Sequence, residues 1–286
     1  MKSTFKLAGL VAMPATHLLI NDANTGRRNT QAKALSDNIH TISKWNDNWD
    51  GLHSAKPASN NQKRTLIFVR HGQYETADDD KGRVLTALGR QQAQNTGDRL
   101  ALLCAPGAQL PPLDDIVYST MTRASETHDL IYKQLVNSPS SFSPAMQRHS
   151  KTSQPCDLIR EGAVCRPEPD TWRGPTDKDY LADNARIEKA FKTYVHRSIN
   201  GSPDTDSDTD TDVDDGASSN STLFVCHGNV IRYLVMRALQ LPPEAWLRTS
   251  VANASITIVT IHASGRVSLQ CLGDTGHLCP AQITFN

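Results

Sequence analysis

LIFVRHGQYE at residues 66–75 and LFVCHGNV at residues 223–230 decide how this chain is read. Each is a short apolar run, rich in β-branched and aromatic residues, that stops at a histidine followed by a glycine. A run that is apolar at consecutive positions reads as a strand covered on both faces, the habit of parallel sheets flanked by helices. Ligands of such sheets bind beyond the carboxyl ends of the strands. Glycine admits close backbone approach there, and free helix N–H groups favour anions. One histidine at a strand end is ordinarily structural. Two at matching strand-to-helix turns, His71 and His227, point to one shared pocket.

The rest of the chain agrees with that architecture. DDIVYS (114–119) and DLIREG (157–162) predict further short strands, and residues 255–272 predict a hairpin turning at Ser264-Gly265. Helices are predicted from a Thr86 cap to about Leu103, over 121–136, over 181–198 and over 229–240, each with an apolar stripe. Strands alternating with helices imply an α/β domain with a largely parallel sheet over residues 65–286. The Ser/Pro-rich segment 137–155 and the acidic segment 201–220 read as polar surface insertions. The aspartates of the second fail the calcium-loop pattern, with Asp215 at the glycine position and Ser221 at the final glutamate position.

The totals exclude some classes. Lysine plus arginine and aspartate plus glutamate balance at 30 each among 286 residues, so nothing recommends nucleic acid as a partner. The six cysteines form no C-x-x-C pair and read as free thiols. Residues 7–20, LAGLVAMPATHLLI, fall short of the roughly 20 residues of a membrane span and are interrupted by Pro14 and His17. An interfacial anchor is the remaining membrane reading. Over residues 1–36 the only acid is Asp22 against five lysines and arginines, a composition that suits a mitochondrial presequence and equally a disordered tail. Residues 1–44 are expected to be this targeting or weak anchor segment with a linker, and a cytoplasmic location is the alternative.

Two more residues join the histidines. YSTMTRASET (118–127) sets Ser119 just past a strand and Arg123 on the first turn of a helix, and LIREG (158–162) sets Glu161 after another apolar run. Singly, each is most simply a solvated residue. Together they make chemical sense as a phosphoryl-transfer site that calls on no metal and no cofactor. Such transfer needs positioning and compensation of charge on the nonbridging oxygens. Arg70 and Arg123 are expected to clamp those oxygens, with His227 as a further donor and Gly72 letting the phosphate approach. His71, kept neutral by the surrounding cations, is the expected nucleophile and would become a phosphohistidine. Glu161 is expected to protonate the leaving oxygen and then to activate water. The arginines lower its pKa and a bound dianion raises it, so it should act as an acid mainly with substrate present.

In this order, Arg70-His71-Gly72, Arg123, Glu161 and His227-Gly228 resemble the histidine phosphatase superfamily over residues 65–286. The resemblance implies the three-layer phosphoglycerate mutase-like fold, a mostly parallel central sheet flanked by helices. Mutases of that fold continue Arg-His-Gly with a serine and a Trp-Asn pair, whereas QYETADDDKGRVLTALG (73–89) has Tyr74 and no tryptophan. LTALGRQQA, S-x-M-T-R-A-x-E-T, ARIEKAF, CHGNVIRYLVMRALQLPPEAWLR and LGDTGHL are similar instead to the mitochondrial serine/threonine protein phosphatases of the superfamily. That implies phosphorylated proteins as substrates. Those members carry W-D-x-N-W-D ahead of the catalytic domain and use it to assemble into active oligomers. Within the linker 45–64, WNDNWD matches at Trp45, Asn48, Trp49 and Asp50, with Asn46 in place of an aspartate. Two tryptophans in a polar linker need apolar cover, and a neighbouring subunit is preferred over the chain's own domain as its source. The competing readings are a phosphatase of the same fold for small metabolites, its entrance shaped by residues 163–180 including Trp172 and Arg173, and an oligomeric scaffold with residual activity.

Overall fold

The computed structural model describes residues 44–52, 62–149, 153–198 and 220–285. Strand β1 (Lys63–Arg70) lies inside a six-stranded sheet ordered β3-β2-β4-β1-β5-β6. The others are β2 (Asp115–Ser119), β3 (Gln154–Cys156), β4 (Asn220–Cys226), β5 (Ile256–His262) and β6 (Val267–Asp274). β1, β2, β3 and β4 are mutually parallel, and the β5–β6 hairpin joins antiparallel to β1. Helices α1 (Ala87–Leu103), α2 (Thr122–Val136) and the short α3 (Pro144–His149) contribute to the core on one face. α4 (Asp177–Tyr194) and α5 (Gly228–Ala238) cover the other.

Cover on both faces explains the unbroken apolar runs. Leu66, Phe68 and Phe224 face the α4–α5 side, while Ile67, Val69, Leu223 and Val225 face α1 and α2. The pairing register sets Arg70 opposite Cys226. His71 and His227 therefore leave neighbouring strands at the same level, although they are far apart in the chain.

Three expectations shift. The strand before Glu161 is Gln154–Cys156, and Asp157–Ile159 is a 3-10 turn. Its ladder ends at Cys156 because its partner β2 ends at Ser119, so DLIREG has nothing left to pair with. Helix α4 begins at Asp177 rather than 181, because Thr176 and Asp179 form a reciprocal capping box. The first part of segment 137–155 is not a surface insertion: a 3-10 turn and α3 carry Phe142 and Met146 into the core. Residues 1–43 and 201–219, where the targeting segment and the acidic insertion were placed, lie outside the described residues.

The Trp-containing segment packs on its own chain. The Trp49 ring lies 5.9 Å from Phe191, and its Nε1–H donates to the Gly265 carbonyl at 2.7 Å. Asp50 and Arg197 form a buried ion pair at 2.7 Å. Burial raises the Asp50 pKa, but the hydrogen bonds from Arg197 outweigh it and hold the carboxyl below its usual range. Asn46 Oδ1 accepts the Asn48 N–H at 2.9 Å, a role an aspartate oxygen fills equally well. Trp45 and Trp49 both pack against the chain's own core but stay half-buried, so its own domain supplies part of the apolar cover preferred from a neighbouring subunit.

Candidate active site

Arg70 ends β1 almost buried, and its Nη1 donates to the Val251 carbonyl at 2.9 Å. Burial pushes its guanidinium down to about 10, which leaves it charged at neutral pH. His71 follows, 2% exposed. Its Nδ1 lies 2.8 Å from the Gly72 carbonyl, which can only accept, so Nδ1 carries the hydrogen and Nε2 the lone pair. Arg123 Nε–H approaches that Nε2 at 3.2 Å. Burial first, then the charges of Arg123 and Arg70, hold His71 well below the usual imidazole range, so the ring is neutral.

Arg123 sits in the first turn of α2, with its guanidinium 4.8 Å over the Tyr74 ring. Tyr74 in turn meets His71 edge-on at 5.2 Å. Arg123 Nη1 also reaches Asp80 Oδ1 at 3.4 Å. The other Asp80 oxygen accepts the Thr122 N–H at 3.0 Å, at the positive end of α2.

His227 is fully buried, its ring centre 5.1 Å from that of His71. Its Nε2 lies 2.8 Å from Ser119 Oγ, which also accepts the Met121 N–H at 3.4 Å. When the serine hydroxyl donates to Nε2, the ring hydrogen sits on Nδ1, and His227 Nδ1 has no hydrogen-bond partner among the described residues. A buried ring nitrogen without a partner is costly, and with its hydrogen there it suits a site built to receive an anion. Burial, followed by His71, Arg123 and Arg70, keeps this ring neutral too.

Glu161 reaches the site from the loop after the 3-10 turn, and this loop is braced from α4. Arg186 Nη1 donates to the carbonyls of Leu158 at 2.9 Å and Arg160 at 2.7 Å, and its Nη2 to that of Glu161 at 3.1 Å. Asp183 pairs with Arg186 at 2.8 Å, and its second oxygen accepts the Ala163 N–H at 2.8 Å. Gly162 lies tight against this brace: a Cβ there would meet Asp183 Cγ at 2.5 Å. Burial raises the Glu161 pKa, against the Gly162 N–H and the charges of Arg123 and Arg70. Relative to a free carboxyl, its acid form is thus stabilised even before a dianion binds, which revises the balance expected from the arginines alone.

Gly72 carries a packing constraint besides the phosphate approach expected of it. Its N–H is already committed to Thr127 Oγ1 at 3.0 Å, and its carbonyl to His71. A Cβ at this position would lie 2.5 Å from the Gly89 carbonyl oxygen, so glycine is required here by the approach of α1. Arg70, His71, Arg123, Glu161 and His227 do converge. Asp80, Arg186 and Asp183 escaped notice, because acids in an acid-rich loop and charges on an amphipathic helix look solvated. A pocket of about 340 Å³ opens beside Arg123 and Glu161, lined also by Met121, Trp172 and Pro175, while Arg173 stays outside it.

Two buried arginines and the unpartnered His227 Nδ1 offer donors to a tetrahedral dianion, with the nucleophilic lone pair of a neutral imidazole beside them and a carboxyl of raised pKa at the edge. The chain is 43% identical over 226 residues to the mouse protein named serine/threonine-protein phosphatase PGAM5, mitochondrial, a match covering 77% of this chain and 66% of that one. It is 41% identical to the protein of the same name from Xenopus tropicalis, over 82% of this chain and 71% of that one. The chain thus spans about two thirds of the length of these curated relatives. Among solved structures, a phosphoglycerate mutase from Plasmodium falciparum is 26% identical, with a TM-score of 0.47, over 77% of this chain and 96% of that one. The family model described as histidine phosphatase superfamily (branch 1) matches residues 66–146 and 210–275. Both strand ends that carry the paired histidines fall inside that match, and the chain belongs to the histidine phosphatase superfamily.

Proposed function

We propose that the chain is a serine/threonine protein phosphatase working through a phosphohistidine on His71. The observation that carries this is the His71 tautomer: its Nδ1–H is spent on the Gly72 carbonyl, so the Nε2 lone pair faces the arginine-lined site. In the first displacement Nε2 attacks phosphorus, the ester P–O bond breaks, and Glu161 gives its proton to the departing serine or threonine oxygen. In the second, the Glu161 carboxylate takes a proton from water, whose oxygen attacks phosphorus. The P–N bond breaks, Nε2 regains its lone pair, and inorganic phosphate leaves. Arg70, Arg123 and the His227 Nδ1–H compensate the oxygens throughout. Protein substrates enter from the printed names of the relatives. The test is to quench turnover of a phosphoserine peptide in alkali and look for acid-labile phosphate on His71. That label and the activity should both vanish in His71→Ala, and near-normal turnover by that variant would refute the mechanism.

The relatives' names, together with the basic, acid-poor residues 1–36, support a mitochondrial location. No helix among the described residues is long and apolar enough to cross a membrane. Assembly through Trp45, Asn48, Trp49 and Asp50 is proposed as an exchange, in which a neighbour's segment takes the cradle of Phe191, Arg197 and Gly265 that the chain's own segment fills here. Light scattering and phosphopeptide turnover with and without residues 45–50 test it. Equal size and equal activity would sink the exchange.

A further inference from the structure

We infer that the pocket beside Arg123 and Glu161 is a subsite for an apolar side chain of the substrate protein, next to its phosphorylated residue. The inference rests on the protein-phosphatase reading above and adds a sequence preference to it. The pocket, about 340 Å³, shares Arg123 and Glu161 with the phosphate site, and its apolar lining includes Met121, Ala163, Trp172 and Pro175.

Trp172 is held from behind. Its ring stands nearly perpendicular to Trp246, 5.3 Å away, and to Tyr180, 6.3 Å away. Trp246 is fully buried and donates its Nε1–H to the Cys165 carbonyl at 3.0 Å. The chain on the near side of Trp172 is pinned as well. The Glu168 N–H donates to the Glu244 carbonyl at 2.8 Å, and Arg248 Nε donates to the Glu168 carbonyl at 2.9 Å. On the far side, the Thr176 capping box starts α4. A tryptophan fixed in this way offers a flat apolar surface with little rotamer freedom left to lose on binding.

The carboxylates that also line the pocket are engaged within the protein. Asp183 is taken by Arg186 and the Ala163 N–H. Asp179 accepts from the Thr176 hydroxyl at 2.7 Å and from its N–H at 2.8 Å. Arg83, whose Nε–H goes to the Ala77 carbonyl at 2.9 Å, and Asn229 also line the pocket, and the rest of the open lining is the apolar wall. Against tryptophan and proline the hydroxyls of a sugar phosphate would lose water and find partners only at Arg83 and Asn229, whereas a leucine or phenylalanine beside a phosphoserine would gain burial.

The experiment gives the full-length protein a panel of phosphoserine peptides that carry Gly, Leu, Phe, Lys or Asp at the position on either side of the phosphoserine. Leu or Phe on one side should raise kcat/KM over Gly by about tenfold, the scale of discrimination an apolar pocket provides. Trp172→Ala should bring that ratio close to one, and Trp172→Phe should restore most of it. Equal turnover across the panel, a preference for Lys or Asp, or an apolar preference that survives Trp172→Ala would overturn the subsite and leave the phosphatase reading standing. Hydrolysis of a sugar phosphate without turnover of any phosphopeptide would overturn the protein-phosphatase reading, and the subsite with it. If Trp172→Ala does not fold, the panel on the unchanged chain and on Trp172→Phe decides by the same ratios.

Discussion

Replacing Arg186 with methionine tests whether the Glu161 loop is held from helix α4. The substitution keeps an apolar stem and removes the donors to the Leu158, Arg160 and Glu161 carbonyls, together with the charge beside Asp183. Three hydrogen bonds at about 0.5–1.5 kcal/mol each set an upper range, and water can replace part of them at this half-buried site. A loss of about 2 kcal/mol is expected, lowering Tm by about 4–8 °C in a domain of this size. The kinetic effect is more diagnostic. A positioned general acid contributes about 10²–10⁴-fold, and a loosened Glu161 should forfeit part of it. On a phosphoserine peptide, kcat/KM should fall by about 10–100-fold, because the serine alkoxide needs a proton as it leaves. On p-nitrophenyl phosphate, whose leaving group needs almost none, the fall should be no more than about threefold. Phosphate release measured for both substrates, with Glu161→Gln alongside, reads the difference. An equal loss on both would mean that Arg186 supports the domain at large, and no loss on either would mean that the loop holds itself; either result refutes the brace.

The pH profile should be lopsided. Glu161, raised by burial, must be protonated for the first displacement, so kcat/KM on the phosphoserine peptide should decline as pH rises through its pKa. His71 is lowered well below the usual imidazole range, so its protonation should limit the rate only at distinctly acidic pH. An alkaline decline of the same size in Glu161→Gln would assign that limb elsewhere. Ser119→Ala strands a buried His227 nitrogen; chemical denaturation should show a loss of about 1–3 kcal/mol, and unchanged stability would rule out the pairing. Gly72→Ala drives a methyl into the Gly89 carbonyl and should cost about 1–3 kcal/mol, with activity falling as His71 shifts. A wild-type melting curve for that variant would show that α1 gives way freely.

What the sequence made legible follows from what buries residues evenly. β1 and β4 are covered on both faces, so their apolar runs are continuous and their ends sharp, and the residues just past those ends were found. The hairpin and the α1 boundary were also legible, the latter through Thr86, whose hydroxyl accepts the Gly89 N–H. Features that act through the main chain were not. Arg186 serves carbonyl oxygens, which leave no mark in sequence. Phe142 and Met146 are isolated among polar residues, so no periodicity announced that they anchor a segment in the core. Gly72 carried an ambiguous signal, since a missing side chain beside an anion site and a missing side chain beneath a helix look the same until the helix is placed.

The position of β1 also matters while the protein is being made. Its two neighbours, β4 and β5, are both encoded far downstream. As the chain leaves the ribosome, the strand that leads into His71 therefore emerges before both its partners, and its hydrogen-bonding edges stay open until they arrive. An unpaired, strongly apolar strand is a template for wrong partners. A chain truncated before Asn220 also lacks the parallel partner that sets His71 and His227 at one level.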